Sequence, residues 1–82
     1  MTMPAFLQKD ETVFIIKHND GFISDTTKNT FKVSVSRNEA KKYKNWQSAI
    51  KMARKCNAIE IQQVAVDDVH IITRRYAVVN GQ

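Results

Sequence analysis

Eighty-two residues are enough for one domain, and a chain this short buries only roughly 60% of its unfolded surface. At 43% hydrophobic and 26% charged, with two Gly and one Pro, the composition is that of a folded protein, which excludes a low-complexity or disordered chain. Thirteen Lys and Arg against eight Asp and Glu give a formal charge of +5, which favours an anionic partner without dictating a fold.

The first predicted element is TVFIIKH, Thr12 to His18, a β-branched and aromatic strand. Val13 and Ile15 fall on one face and Phe14 and Ile16 on the other, which suits a strand covered on both sides. Asn19, Asp20 and Gly21 then supply a turn, and FIS returns as the second strand. After the loop DTTKN, the segment TFKVSVS alternates, with Phe31, Val33 and Val35 on one face and Lys32, Ser34 and Ser36 on the other. An antiparallel meander is the simplest arrangement of these three strands.

Ser36 and Glu39 stand at capping-box spacing, which predicts a short helix from about Arg37 to Tyr43. Asn45 is placed to cap a second helix from about Trp46 to Cys56. In it Trp46, Ala49, Ile50, Ala53 and Cys56 form an apolar stripe widened by Met52, opposite Gln47, Lys51, Arg54 and Lys55. Asn57, tolerant of the left-handed conformation, is placed to end it. IEIQQVAV reads as a fourth strand whose alternation breaks at Gln63, the mark of a bulge or register change. Asp67-Asp68 reads as a turn, and Val69 to Val79 as a long final strand with Arg74 and Arg75 on opposite sides. The expected fold is α+β in the order β-β-β-α-α-β-β. About five mainly antiparallel strands carry one short and one longer helix on one face. The domain spans 1–82, with about 1–10 and 80–82 expected to be flexible.

The single Cys56 allows no internal disulfide, and no apolar run suits a signal peptide or approaches the roughly 20 residues of a membrane span. A cytoplasmic location follows as the expectation. Glycine-rich phosphate loops, HExxH and paired-Cys metal patterns are all missing, and no cofactor is expected. His18 and His70 could join Asp20, Asp67 or Asp68 at a metal only through folding, and exposed strand histidines beside acidic turns are the plainer reading. Cys56 with a histidine would make a nucleophile and base, yet its place on the apolar stripe suits a small buried hydrophobe. The expectation is a non-enzymatic protein.

The opening FIIKHNDGF, a third strand, EAKKYKNWQSAIKMARKCN and a closing strand together span Phe14 to Val64. This layout resembles small proteins encoded in phages and prophages of Gram-positive bacteria. In these an A-K-K-aromatic turn, here Ala40 to Tyr43, precedes a capped A-x-x-x-A helix, here with Ala49 and Ala53. The resemblance covers about two thirds of the chain, carries no functional residues over, and does not extend to Asp67–Val79. It implies an accessory factor in the host-cell cytoplasm that acts by binding a host protein or nucleoprotein complex, for example as an inhibitor of host defence.

Seven of the thirteen cations lie between Ser36 and Lys55, against the single acid Glu39. One reading is a helix-turn-helix, with Ala40, Ile50 and Ala53 at usable spacings and Gln47, Ser48, Lys51 and Arg54 facing bases. Lys44 stands where that turn often takes Gly, and the rest of the chain is strand rather than a supporting helix. A second reading joins Lys41, Lys42 and Lys44 of one helix to Lys51, Arg54 and Lys55 of the next as one phosphate-contacting patch for DNA or RNA. Trp46 and Tyr43, on the core side of these helices, would then be unable to stack on bases. A third reading makes the cations a solvated face. Binding then falls elsewhere, to the open sheet face or to the final strand, where Val69, Ile71, Arg74, Arg75 and Tyr76 would pair with a partner strand, a second copy included. The leading expectation is the accessory binding protein. Direct, sequence-independent nucleic-acid binding through the six cations is the alternative.

Overall fold

A computed structural model describes residues 11–27 and 30–79, so the expected flexible ends lie outside the described residues. Among the described residues, five strands, a single 3-10 turn and one α-helix follow in sequence. They are β1 (Thr12–His18), β2 (Gly21–Thr26), β3 (Phe31–Ser34), the 3-10 turn (Arg37–Glu39), α1 (Trp46–Lys55), β4 (Glu60–Ala65) and β5 (Asp68–Ala77). The strands form one sheet in the order β3-β2-β1-β4-β5, and every pairing is antiparallel. The α+β class and the five-stranded antiparallel sheet are as expected.

β1 lies at the centre of the sheet, which is why both of its faces are apolar. On one face Ile16, Ile23 and Ile61 pack against Ala49 and Ala53 of α1 and Cys56 just after it, with Ala58 beside them. On the other, Val13, Ile15, Phe22, Val64 and Val69 pack with Ala40. The small residues of α1 let the helix lie close against the sheet. Asn57, at φ 57°, takes the left-handed conformation expected of it after the helix.

The short helix expected over Arg37–Tyr43 does not form. Only Arg37–Glu39 makes a 3-10 turn, the Ser36 side chain caps nothing, and Ala40 is already extended at φ −64° and ψ 137°. Glu39 turns away from the box to accept a 2.6 Å hydrogen bond from the Ser34 hydroxyl. The turn also lies on the face opposite α1, so two helices on one face is corrected to one helix and, across the sheet, one turn.

The reason is tertiary. β1 and β2 pair only beside their hairpin, at Lys17–Phe22 and His18–Gly21, and the segment after Ala40 passes between them. Lys41 N–H donates to the Ile23 carbonyl of β2 at 2.8 Å. Tyr43 exchanges two backbone bonds with Phe14 of β1, at 2.7 and 2.9 Å. A chain bonded to strands on both sides must be extended, and local capping propensity cannot compete with those bonds. The A-K-K-Y segment therefore carries the chain through the sheet from one face to the other.

Two smaller departures shift register. The last turn is Val66-Asp67 rather than Asp67-Asp68, because Ala65 pairs with Asp68. The disturbance expected at Gln63 is real, with register shifts on either side of Val64. Val35, expected to face inward on β3, lies beyond the strand and is 87% exposed.

Candidate functional site: the groove between α1 and β5

α1 starts where Asn45 stops the crossing segment. Its side-chain oxygen accepts from Gln47 N–H at 2.7 Å and Ser48 N–H at 3.3 Å, satisfying two orphan donors of the first turn. The helix WQSAIKMARK contains no acid. Ala49 and Ala53 point into the core, while Gln47, Ser48, Lys51, Arg54 and Lys55 are exposed.

Trp46 sits at the margin rather than in the core, and 36% of its surface is exposed. The Phe14 ring meets it edge-on at 5.4 Å and 68°, and the Tyr76 ring of β5 lies 4.8 Å away at 60°. Tyr76 is held in turn. Its hydroxyl donates to Gln63 Oε1 at 3.2 Å, and the Gln63 amide donates to Thr12 Oγ1 at 2.7 Å. These contacts make a fixed aromatic floor along one side of α1.

Around that floor runs an open groove lined by Trp46, Gln47, Ile50, Arg54, Arg75 and Tyr76, with Ala77 and Val79 at its end. A second hollow, formed by Gln47, Ser48, Ile50, Lys51 and Arg54, adjoins it across the helix. Gln47, Ile50 and Arg54 belong to both, so the two are one surface. Among the described residues no acidic one lines either hollow.

The six cations expected to make one patch divide into groups. Lys51 and Arg54 share a hollow, and Lys55 is exposed in the last turn of the helix. Lys42 and Lys44 are exposed on the crossing segment, not on a helix. Lys41 is engaged on the β2 side, where its Nζ donates to Thr26 Oγ1 at 3.2 Å and lies 5.5 Å from the Tyr43 ring. The helix-turn-helix reading falls with the missing first helix.

The final strand is an edge strand, as the pairing idea needs. Val69 is buried in the protein's own core, whereas Ile71, Arg74 and Arg75 are exposed. Adjacent arginines are the kind of edge residue that blunts strand addition. Arg75 and Tyr76, expected at a pairing edge, line the groove with α1 instead. Sequence reasoning missed this union of Trp46, Arg54, Arg75 and Tyr76. The available signal was the position of Trp46 at the start of the apolar stripe, where a large ring overhangs the sheet.

Cys56 is buried, and burial pushes its thiol up, with Lys55 pulling more weakly the other way. Such a thiol stays protonated at neutral pH. Burial likewise raises the Tyr43 phenol, offset in part by Thr26, although no group among the described residues reaches hydrogen-bond geometry with its hydroxyl. His18 accepts the Asp20 N–H at Nδ1 and packs 5.5 Å from Phe31. His70 lies exposed on the edge strand, and no group of three or more metal-ligating side chains occurs among the described residues. Among the described residues no helix is long and apolar enough to cross a membrane.

No protein-family model, curated protein or solved structure matches this chain.

Proposed function

We propose that this is a non-enzymatic accessory protein that binds the anionic surface of a nucleoprotein complex through α1 and the groove beside it. That role agrees with what the resemblance to small phage-encoded proteins implies. One observation carries it: the outward surface of α1 bears cations without a single acid and continues into a groove that, among the described residues, also lacks acids. A helix kept only for solubility is served best by mixed charges. Lys51, Arg54 and Lys55 stand three and four residues apart, where like charges cost a helix about 0.2–0.5 kcal/mol per pair. An anionic partner converts that repulsion into attraction.

The test is titration of labelled single- and double-stranded DNA and RNA at low and moderate salt. Micromolar or tighter binding that weakens with salt is expected. The double variant Lys51→Glu with Arg54→Glu should abolish it while leaving the circular dichroism spectrum unchanged, since both side chains are exposed. Failure of every nucleic acid to bind at low salt would overturn the proposal.

A further inference from the structure

We infer that the outer edge of β3 pairs with the same edge of a second copy of this chain, antiparallel and centred on Val33, joining the two sheets into one continuous sheet. This contact is independent of the anionic-partner reading.

Among the described residues β3 has a strand on its β2 side only, and its neighbours show which way its backbone groups turn. The Thr30 carbonyl accepts from Thr27 N–H at 2.8 Å, and the Lys32 carbonyl accepts from the Ser24 hydroxyl at 3.4 Å. The Ser34 carbonyl oxygen lies so near Gly21 that a Cβ there would stand 2.4 Å from it. Alternate carbonyls of β3 therefore turn toward the β2 side. The register shift of this pair falls on β2, between Ile23 and Asp25, and leaves β3 regular. In an antiparallel ladder the groups of Phe31 and Val33 then turn outward, as do those of Val35 next in line.

The two edges of the sheet differ in how open they are. β5 is interrupted by the register shifts beside Val64, exposes Arg74 and Arg75, and has its His70 N–H taken by Asp68 Oδ1 at 2.9 Å. Bulges and charges of that kind discourage a further strand. β3 carries no bulge, and its one charge, Lys32, stands directly opposite Asp25 of β2.

The occupant that fits this edge is the same strand. Centred on Val33, the antiparallel register sets Val33 against Val33, and Phe31 against the second copy's Val35. Both members of each such pair turn their backbone groups outward, so each pair exchanges two N–H···O bonds. Lys32 falls opposite Ser34, whereas a register centred on Lys32 would set two lysines face to face. Val35 is 87% exposed although the alternation of TFKVSVS runs on to it. Opposite Phe31 it gains an aromatic–β-branched pair on a shared face. The two-fold axis stands perpendicular to the sheet, so α1 of both copies lies on the same face and their cationic surfaces act together.

The pairing is measured on the protein alone, so its failure leaves the anionic-partner reading standing. A contact this short falls below the roughly 1,200 Å² of standard complexes, and a dissociation constant of about 10 µM to 1 mM is expected. Sedimentation equilibrium from about 5 µM to about 2 mM should show the mass rising from 9.4 kDa toward twice that value. Over the same series, hydrogen exchange followed by NMR should slow at the Phe31 and Val33 amides. The Lys32 amide, which faces β2 in both states, should not change. Val35→Pro removes an outward N–H at an exposed position where an edge strand tolerates proline. It should keep the circular dichroism spectrum and weaken the dimer roughly tenfold or more, since each opposed pair loses a bond. Val35→Glu keeps the amide and removes the valine that meets Phe31, and should weaken the dimer several-fold. A mass of 9.4 kDa throughout overturns the inference and leaves this edge to a strand of another protein. A dimer that forms equally well with Val35→Pro, or whose Val33 amide exchanges as fast as in dilute solution, joins through another surface and overturns it as well.

Discussion

Gly21 closes the first hairpin at φ +149°, a conformation that L side chains rarely adopt. A Cβ there would stand 2.4 Å from the Ser34 carbonyl oxygen and 2.9 Å from its carbon, so there is no room either. Gly21→Ala is expected to lower stability by at least about 2 kcal/mol, seen as a lower denaturation midpoint at constant m-value. The need for a turn is legible in Asn19-Asp20-Gly21. The crowding is not, because it comes from Ser34 on another strand. Gln62 teaches the same lesson. It is the one buried polar residue among those described, and its amide is satisfied at both ends. Arg37 donates to its oxygen, and its nitrogen donates to Glu60 Oε2 at 2.6 Å. Arg37 also lies 4.8 Å above the Phe22 ring. In the sequence Arg37 is one more cation of a basic run. In the fold it is the partner of a buried amide 25 positions away.

At the scale of the element, α1 and the missing first helix make a controlled comparison. Both begin at a residue suited to capping, Asn45 and Ser36, and only Asn45 makes the bonds. The apolar stripe after Asn45 faces the sheet over nearly three turns, so packing and cap agree. After Ser36 the chain has four residues before it must enter the sheet, too few to repay helix nucleation. Asn45→Ala should cost about 1 kcal/mol in thermal or chemical unfolding. Because Trp46 is the next residue, fraying of the first turn should also shift Trp46 emission in the folded state, which links the cap to the candidate site. A variant with unaltered stability would show that the two amides find water just as well.

For the whole molecule, the defining feature is the passage of residues 40–44 through the sheet. It separates two apolar layers and sets α1 on the face where Tyr76 can meet Trp46. A segment that sequence alone would class as helix or turn is thereby tied on both sides. The Tyr43 amide, bonded to the Phe14 carbonyl at 2.9 Å, is expected to exchange hydrogen only on global unfolding. Exchange of that amide at the rate of an exposed loop would exclude the crossing.

What the sequence determined by itself is what depends on neighbours in the chain. β1 with its two apolar faces, the turn at Gly21, the cap at Asn45, the stripe of α1, the left-handed Asn57 and the break near Gln63 are all local in cause. What only the tertiary structure decided depends on pairs far apart. The opening of β1 from β2 cancelled a well-spaced capping box, because backbone hydrogen bonds inside a sheet outweigh one side-chain cap. The candidate site is of the second kind: Trp46 and Arg54 belong to α1, and Arg75 and Tyr76 lie a strand and a turn later on β5. Composition announced the cations, but their grouping around an exposed ring came from how the helix was laid on the sheet.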